Sequence, residues 1–249
     1  MNTLISLLDE KIPLVAVGFL GNTPVNVVLE AKARGLDIAE LRIDHFPSLD
    51  SAEVISEIKK FANFHTIGTI RLKNEGGKWE GSEEQRLKLF RDIIPHVDAI
   101  DIELHAGDIL PSVIQEAHDK KKLALVSYHN FNETPDIQFL QAIVDSARSE
   151  NADLIKIAVH VSNPEDLQVL AMLTLSNKDK RLVAIAMGSD GLISRVFFPA
   201  LGSRITFAYI GTPTAPGQLK FAELFQLLRE FYPRFNQRKI DELKILEAA

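Results

Sequence analysis

Short apolar runs recur along the chain, each ending near a polar residue and followed by a turn and a longer amphipathic segment. The runs fall at 14–19, 38–44, 66–72, 99–104, 123–129, 154–159, 182–187 and 205–210, which predicts eight strands. The segments between them predict helices. One covers 25–34 and ends at Gly35; another runs from the capping box Ser82-Glu83-Glu84-Gln85 toward Ile94. Others cover 106–120, 135–149, 164–175 (opened by Asn163 and Pro164), 189–201 and 218–231. A charged tail, 238–246, is expected on the outside. Strict alternation implies a parallel sheet. Eight strand–helix units without a linker or low-complexity tract predict an α/β fold, a single-domain (β/α)8 TIM barrel over residues 1–249. A doubly wound open sheet is the alternative, but no G-x-G-x-x-G follows the first strand and no phosphate-loop motif occurs.

Strands covered by helices should be almost wholly apolar. Several here are not, and the two-residue period sorts their side chains onto two faces. Glu40, Arg42 and Asp44 oppose Leu41 and Ile43; Thr69 and Arg71 oppose Ile70 and Leu72; Asp101 and Glu103 oppose Ile100, Ile102 and Leu104. Ser127 and His129 oppose Val126 and Tyr128, and Lys156 opposes Ile155 and Ile157. The apolar face must meet the helices, so the charged face points into the barrel. Unpaired buried charge is costly, so such a cluster is either a structural ion network or a working site. Its members sit toward the C-terminal strand ends, where barrel enzymes hold their active sites. Lys156 is the sharpest signal. Walled by apolar groups and other cations, its charged form is disfavoured, which leaves a neutral amine able to attack a carbonyl carbon. His129, on the preceding strand, is a candidate proton carrier beside it. A metal site at Asp101, Glu103 and His105 is the competing idea, but it lacks a clear second histidine.

Composition narrows the classes. The chain has 249 residues, 28 Lys+Arg against 34 Asp+Glu, a net charge of −6 and no cysteine. That excludes a disulfide scaffold, a thiol nucleophile and a zinc finger, and it fits nucleic-acid binding poorly. No apolar run approaches the ~20 residues of a membrane span. Asp9 and Glu10 interrupt the N-terminal region too early for a secretion signal, so a cytoplasmic protein without membrane or nucleic-acid partners is expected.

The motifs, taken in order, resemble type I 3-dehydroquinate dehydratase. They are Glu40-Leu41-Arg42-Ile43-Asp44, Arg71 with Glu75-Gly76-Gly77, Ser127-Tyr128-His129-Asn130-Phe131 and Lys156-Ile157-Ala158. Met187-Gly188 with Ser194-Arg195, and Ala215-Pro216-Gly217-Gln218, complete the set. The resemblance implies a Schiff-base dehydratase of the shikimate pathway that uses no metal or organic cofactor. Within it Lys156 forms the imine, His129 moves the protons and Glu75 orients His129. Glu40, Arg42 and Arg71 contact the substrate, Arg195 holds its carboxylate, and the loop from Thr214 to Gln218 covers the ring hydroxyls. The family commonly has Ser where this chain has Thr214, which keeps the hydroxyl but stiffens the side chain. It also implies a homodimer; the apolar Val196-Phe197-Phe198 and the 221–231 helix offer a surface, though core packing accounts for them equally well. From the residues alone, a class I aldolase with the same amine chemistry, or an inactive barrel that only binds, remains open.

Overall fold

The alternation persists in the computed structural model, which describes residues 3–213 and 217–247. The chain runs α1 (Leu4–Asp9), β1 (Leu14–Phe19), α2 (Val25–Ala33), β2 (Ile38–Arg42), α3 (Ser51–Lys59), β3 (His65–Thr69) and α4 (Glu83–Ile93). It continues β4 (Ala99–Glu103), α5 (Ile109–Asp119), β5 (Leu123–Asn130), α6 (Ile137–Ser149), β6 (Leu154–His160) and α7 (Pro164–Ser176). It ends β7 (Leu182–Met187), α8 (Ser194–Leu201), β8 (Ile205–Tyr209), β9 (Leu219–Lys220), α9 (Phe221–Phe231) and α10 (Pro233–Glu247). Local chemistry sets several of these starts. The Ser82 hydroxyl accepts from the Gln85 N–H while the Gln85 side chain accepts from the Ser82 N–H, closing the expected capping box. Asn163 caps α7 ahead of Pro164, whose fixed φ suits a first helical position. Besides α10, which the sequence offers only as a charged tail, two helices lie outside those the sequence predicts. One is α3, with Asp50 capping it through the Ala52 and Glu53 N–H groups. The other is α1.

Strands pair in parallel in the order β7-β6-β5-β4-β3-β2-β1-β8-β9. The curled sheet is the expected barrel, with one qualification at its seam. No strand ladder joins β7 to β8 among the described residues. The segment leading into β8 holds the seam instead: the Arg204 N–H donates to the Leu182 carbonyl at 2.9 Å, and Ser203 Oγ accepts from the Ala184 N–H at 3.1 Å. Two strands end two or three residues before their predicted limits. After Arg42 the chain turns through Ile43–His45, and after Thr69 it leaves β3 and turns through Lys73–Glu75. Side chains cause both exits. Asp44 grips the Arg42 guanidinium and the Lys78 N–H, and Glu103 takes the Leu72 N–H at 2.8 Å that a neighbouring strand would otherwise bind.

The two faces separate as the two-residue period requires. Val15, Val17, Leu41, Ile100, Ile102, Val126, Ile155 and Ile157 pack against the helices. Leu14, Ile38, Ile67, Leu125, Leu154, Val183 and Ile205 fill the interior together with Leu4, Leu7 and Leu8 of α1. Because those strand residues lie at or near strand starts, α1 plugs the N-terminal end of the barrel. Each buried leucine contributes about 1.5–3 kcal/mol. The charged tail is also more than an outer layer. Phe235 of α10 is fully buried, and Lys239 and Arg238 reach Asp37, whose carboxylate also accepts the Val15 N–H. That buried ion cluster ties the last helix to β1 and β2.

Candidate active site

Register places the charged side chains in tiers. Ser127 stands opposite both Glu103 and Lys156, and Thr69 opposite Asp101. His129 is level with Ala158, one pleat nearer the C-terminal end than Lys156. The amine therefore lies deeper and the imidazole nearer the mouth. A cavity there is lined by Glu40, Arg42, Arg71, Glu75, His129, Lys156, Arg195 and Gln218, with Gly76, Phe131, Ala158, Ile185, Met187 and Phe207. Eight of the nine residues expected at the site thus share one cavity. The ninth, Thr214, lies outside the described residues.

The surroundings of Lys156 correct one expectation. Its neighbours are not chiefly cations. Nζ lies 2.8 Å from Asp101 Oδ2 and 3.5 Å from Glu40 Oε1, over the Phe207 ring at 5.0 Å from its centroid. The reason is charge balance: the same interior face carries Arg71 and Lys156 between Glu40, Asp101 and Glu103, and burial forces them to pair. Arg71 lies 2.7 Å from Asp101 and 3.1 Å from Glu103, and donates to Ser127 Oγ at 2.6 Å. Ser127 donates onward to Asp101 at 2.7 Å, and Thr69 donates to Glu40 at 3.0 Å. Arg42 is fixed by both oxygens of Asp44. Lys156 does not pair with Glu103, which Arg71 and Arg86 hold.

His129 and Glu75 form a second unit. Glu75 Oε2 accepts from the His129 backbone N–H at 3.0 Å and sits 3.0 Å from its Nδ1. Burial, with Arg71 and Lys156 nearby, holds the imidazole well below its usual range, so it is neutral at neutral pH. Burial pushes the Glu75 carboxyl up to about 7, with Arg71 opposing the rise and Glu103 adding to it. With Glu75 ionised, Nδ1 carries the hydrogen and Nε2 is left as the basic nitrogen. With Glu75 protonated, its O–H can donate to Nδ1 and move the ring hydrogen to Nε2, which removes the base. Phe131 stacks on the imidazole, 6.3 Å between centroids and 14° between planes.

Arg195 is buried, its Nε donating to the Gly217 carbonyl at 3.0 Å. Nη2 has no hydrogen-bond partner among the described residues, and burial lowers the guanidinium to about 10. Asp101, Glu103 and His105 do not converge on a common point. The carboxylates bind arginine and lysine, while His105 is 55% exposed at its side chain and faces Glu75 at 3.7 Å. No group of three or more His, Asp or Glu suited to a metal occurs among the described residues.

The sequence offers Asp101 and Glu103 only as ligands of the competing metal site and gives Ser127 no role beyond its place on the interior face. It missed Phe207 and Arg86. Arg86 had a signal, since it shares one helical stripe with Leu89, Phe90 and Ile93. Phe207 had none beyond its alternation with Thr206 and Ala208.

A family model described as type I 3-dehydroquinase matches residues 23–233. The 3-dehydroquinate dehydratase of Methanococcoides burtonii is 35% identical over 221 residues, covering 87% of this chain and 93% of that protein. The crystal structure of the 3-dehydroquinate dehydratase from Aquifex aeolicus superposes with a TM-score of 0.80 at 31% identity, covering 88% of this chain and 99% of that one. A type I 3-dehydroquinate dehydratase from Clostridium difficile, solved with covalently modified comenic acid, gives a TM-score of 0.80 at 28% identity over 90% and 93% of the two chains.

Proposed function

The chain belongs to the type I 3-dehydroquinase family, and from that premise we propose how its interior charges perform the reaction. The enzyme is a hydro-lyase that dehydrates 3-dehydroquinate to 3-dehydroshikimate in the shikimate pathway. The reading of its site rests on one observation above the rest: Lys156 and His129 face the same cavity, with Glu75 on the far nitrogen of the imidazole.

Lys156 Nζ adds to the substrate's C3 ketone, and loss of water gives the iminium. The positive nitrogen draws electrons from the adjacent carbon, so the C2 proton becomes acidic enough for His129 Nε2 to remove. The resulting enamine expels the C1 hydroxyl, which leaves as water with the proton His129 has taken. Water then hydrolyses the imine, releasing 3-dehydroshikimate and the amine. One water is lost on imine formation, one on elimination, and one is consumed in hydrolysis, so the balance is a single dehydration. Glu75 keeps His129 in the tautomer with a basic Nε2. Nη2 of Arg195, without a hydrogen-bond partner among the described residues, suits the substrate carboxylate, and a planar fork binds a carboxylate best. Glu40, Arg42, Arg71 and Gln218 line the ring's binding space, and Thr214 is assigned to the ring hydroxyls by its place in the motif.

No step requires a metal or an organic cofactor, since the covalent imine supplies the electron sink. A class I aldolase would use the same amine, but the matched family is a dehydratase. The enzyme works in the cytoplasm as a homodimer. No helix among the described residues is long and apolar enough to cross a membrane, and exposed Ile193 just before α8, Phe197 on α8 and Phe231 on α9 offer an apolar outer face. Borohydride reduction in the presence of 3-dehydroquinate tests the chemistry. Mass spectrometry should find the adduct on Lys156 in the native protein and none in Lys156→Ala, which should also lose nearly all turnover. Normal kcat in that variant ends the imine mechanism.

A further inference from the structure

Arg86 stands on α4, outside the ring of strands, yet it is fully buried. A guanidinium costs heavily in such a place unless its contacts are well used. Nη1 donates to the Ile70 carbonyl at 3.1 Å and to Glu103 Oε2 at 2.7 Å, and Nη2 donates to Glu83 at 2.8 Å. The other oxygen of Glu103 accepts the Leu72 N–H at 2.8 Å and lies 3.1 Å from Arg71. The Leu72 carbonyl in turn accepts from the Glu75 N–H at 3.1 Å and the Gly77 N–H at 2.9 Å. Glu75 then meets His129. Connected bonds therefore run from a helix of the outer layer to the imidazole.

We propose that Arg86 is a positioning residue for the dehydration: through Glu103 it fixes the turn that presents Glu75 to His129, and it balances the Glu103 charge so that Glu75 stays ionised. This rests on the reading of His129 as the base. The charged and titratable groups facing Glu75 are Arg71, Glu103, Asp101, His129 and His105. Arg71 favours the carboxylate, whereas Glu103 and Asp101 oppose it. Without Arg86, Glu103 is left with Arg71, which it shares with Asp101. Glu75 then ionises at higher pH, and the basic form of Nε2 appears later in a titration.

The experiment measures kcat against pH for the native enzyme, Arg86→Met, Arg86→Lys and the double variant Arg86→Met/Glu103→Gln, with thermal melts alongside. Arg86→Met should move the acidic limb up by about one pH unit. Arg86→Lys should keep the limb but lower the plateau kcat, because one ammonium cannot reach Ile70, Glu83 and Glu103 as the fork does. The double variant should return the limb to its native position or below. A lower melting temperature with an unmoved limb in Arg86→Met makes the residue merely structural and overturns the proposal. If Arg86→Met does not fold, an unchanged plateau in Arg86→Lys overturns it instead. His129→Ala separates the two layers: full turnover there overturns the base assignment and this proposal together, whereas lost turnover with an unmoved Arg86→Met limb overturns this proposal alone.

Discussion

Burial sets the working state of a single carboxyl. Glu75 has its pKa near 7 in the fold instead of 4.5, so between those values the folded protein holds a proton that the unfolded chain has released. Stability therefore falls as pH rises from about 4.5 to about 7, and the cost of up to about 3 kcal/mol remains above that. Glu75→Gln removes the charge and keeps an acceptor for the His129 N–H. It should melt higher than the native protein at pH 8, equally at pH 4, and lose about a hundredfold in kcat. A variant no more stable at pH 8 would contradict the assignment of that burden to Glu75. The same side chain shows what sequence conveyed. Glu75 beside two glycines was identified through motif resemblance, but its contact with His129 spans 54 positions and belongs to the fold. Lys156 was visible as the one lysine within a predicted strand core. The carboxylates around it were visible too, yet which of them would reach the amine depended on stagger between strands.

Elements differ in how far their own residues specify them. The first and seventh strands have the limits their apolar runs predict, Leu14–Phe19 and Leu182–Met187. The second and third stop early because side chains from elsewhere take over the backbone. The turn after the third strand is the sensitive case. A Cβ on Gly77 would stand 2.0 Å from the Arg71 carbonyl oxygen, and that carbonyl already accepts the Trp79 N–H. Gly77→Ala must push the turn off Arg71, with overpacking costing about 1–3 kcal/mol. The expected result is a drop of more than about tenfold in kcat, accompanied by a lower melting temperature. Native values of both would show that the turn has room to spare.

The whole molecule joins a sealed end to an open one. Helix α1 stops the N-terminal mouth with leucines, so polar interior groups collect toward the C-terminal end. On the outside, a groove of about 840 Å³ runs between α8 and α9, where Ile193 is 60% and Phe231 63% exposed. Phe198, in the same helix as Phe197, is fully buried, so core packing explains only part of this apolar stretch. An apolar groove of this kind is a place for association. Sedimentation should find the native protein dimeric and Phe231→Glu shifted toward monomer with its secondary structure intact. A native monomer would rule out the homodimer.

Periodicity alone determined the alternation of strand and helix, the inward face of each charged strand and the presence of a lysine and a histidine on adjacent strands. These follow from spacing along one segment, which folding preserves. Tertiary structure decided which charges pair, why the seam between β7 and β8 lacks a ladder, how α10 locks onto Asp37 and how Arg86 connects to the imidazole. Those outcomes depend on distances between segments far apart in the chain, and a side chain's partner there is chosen by what burial leaves within about 3 Å of it.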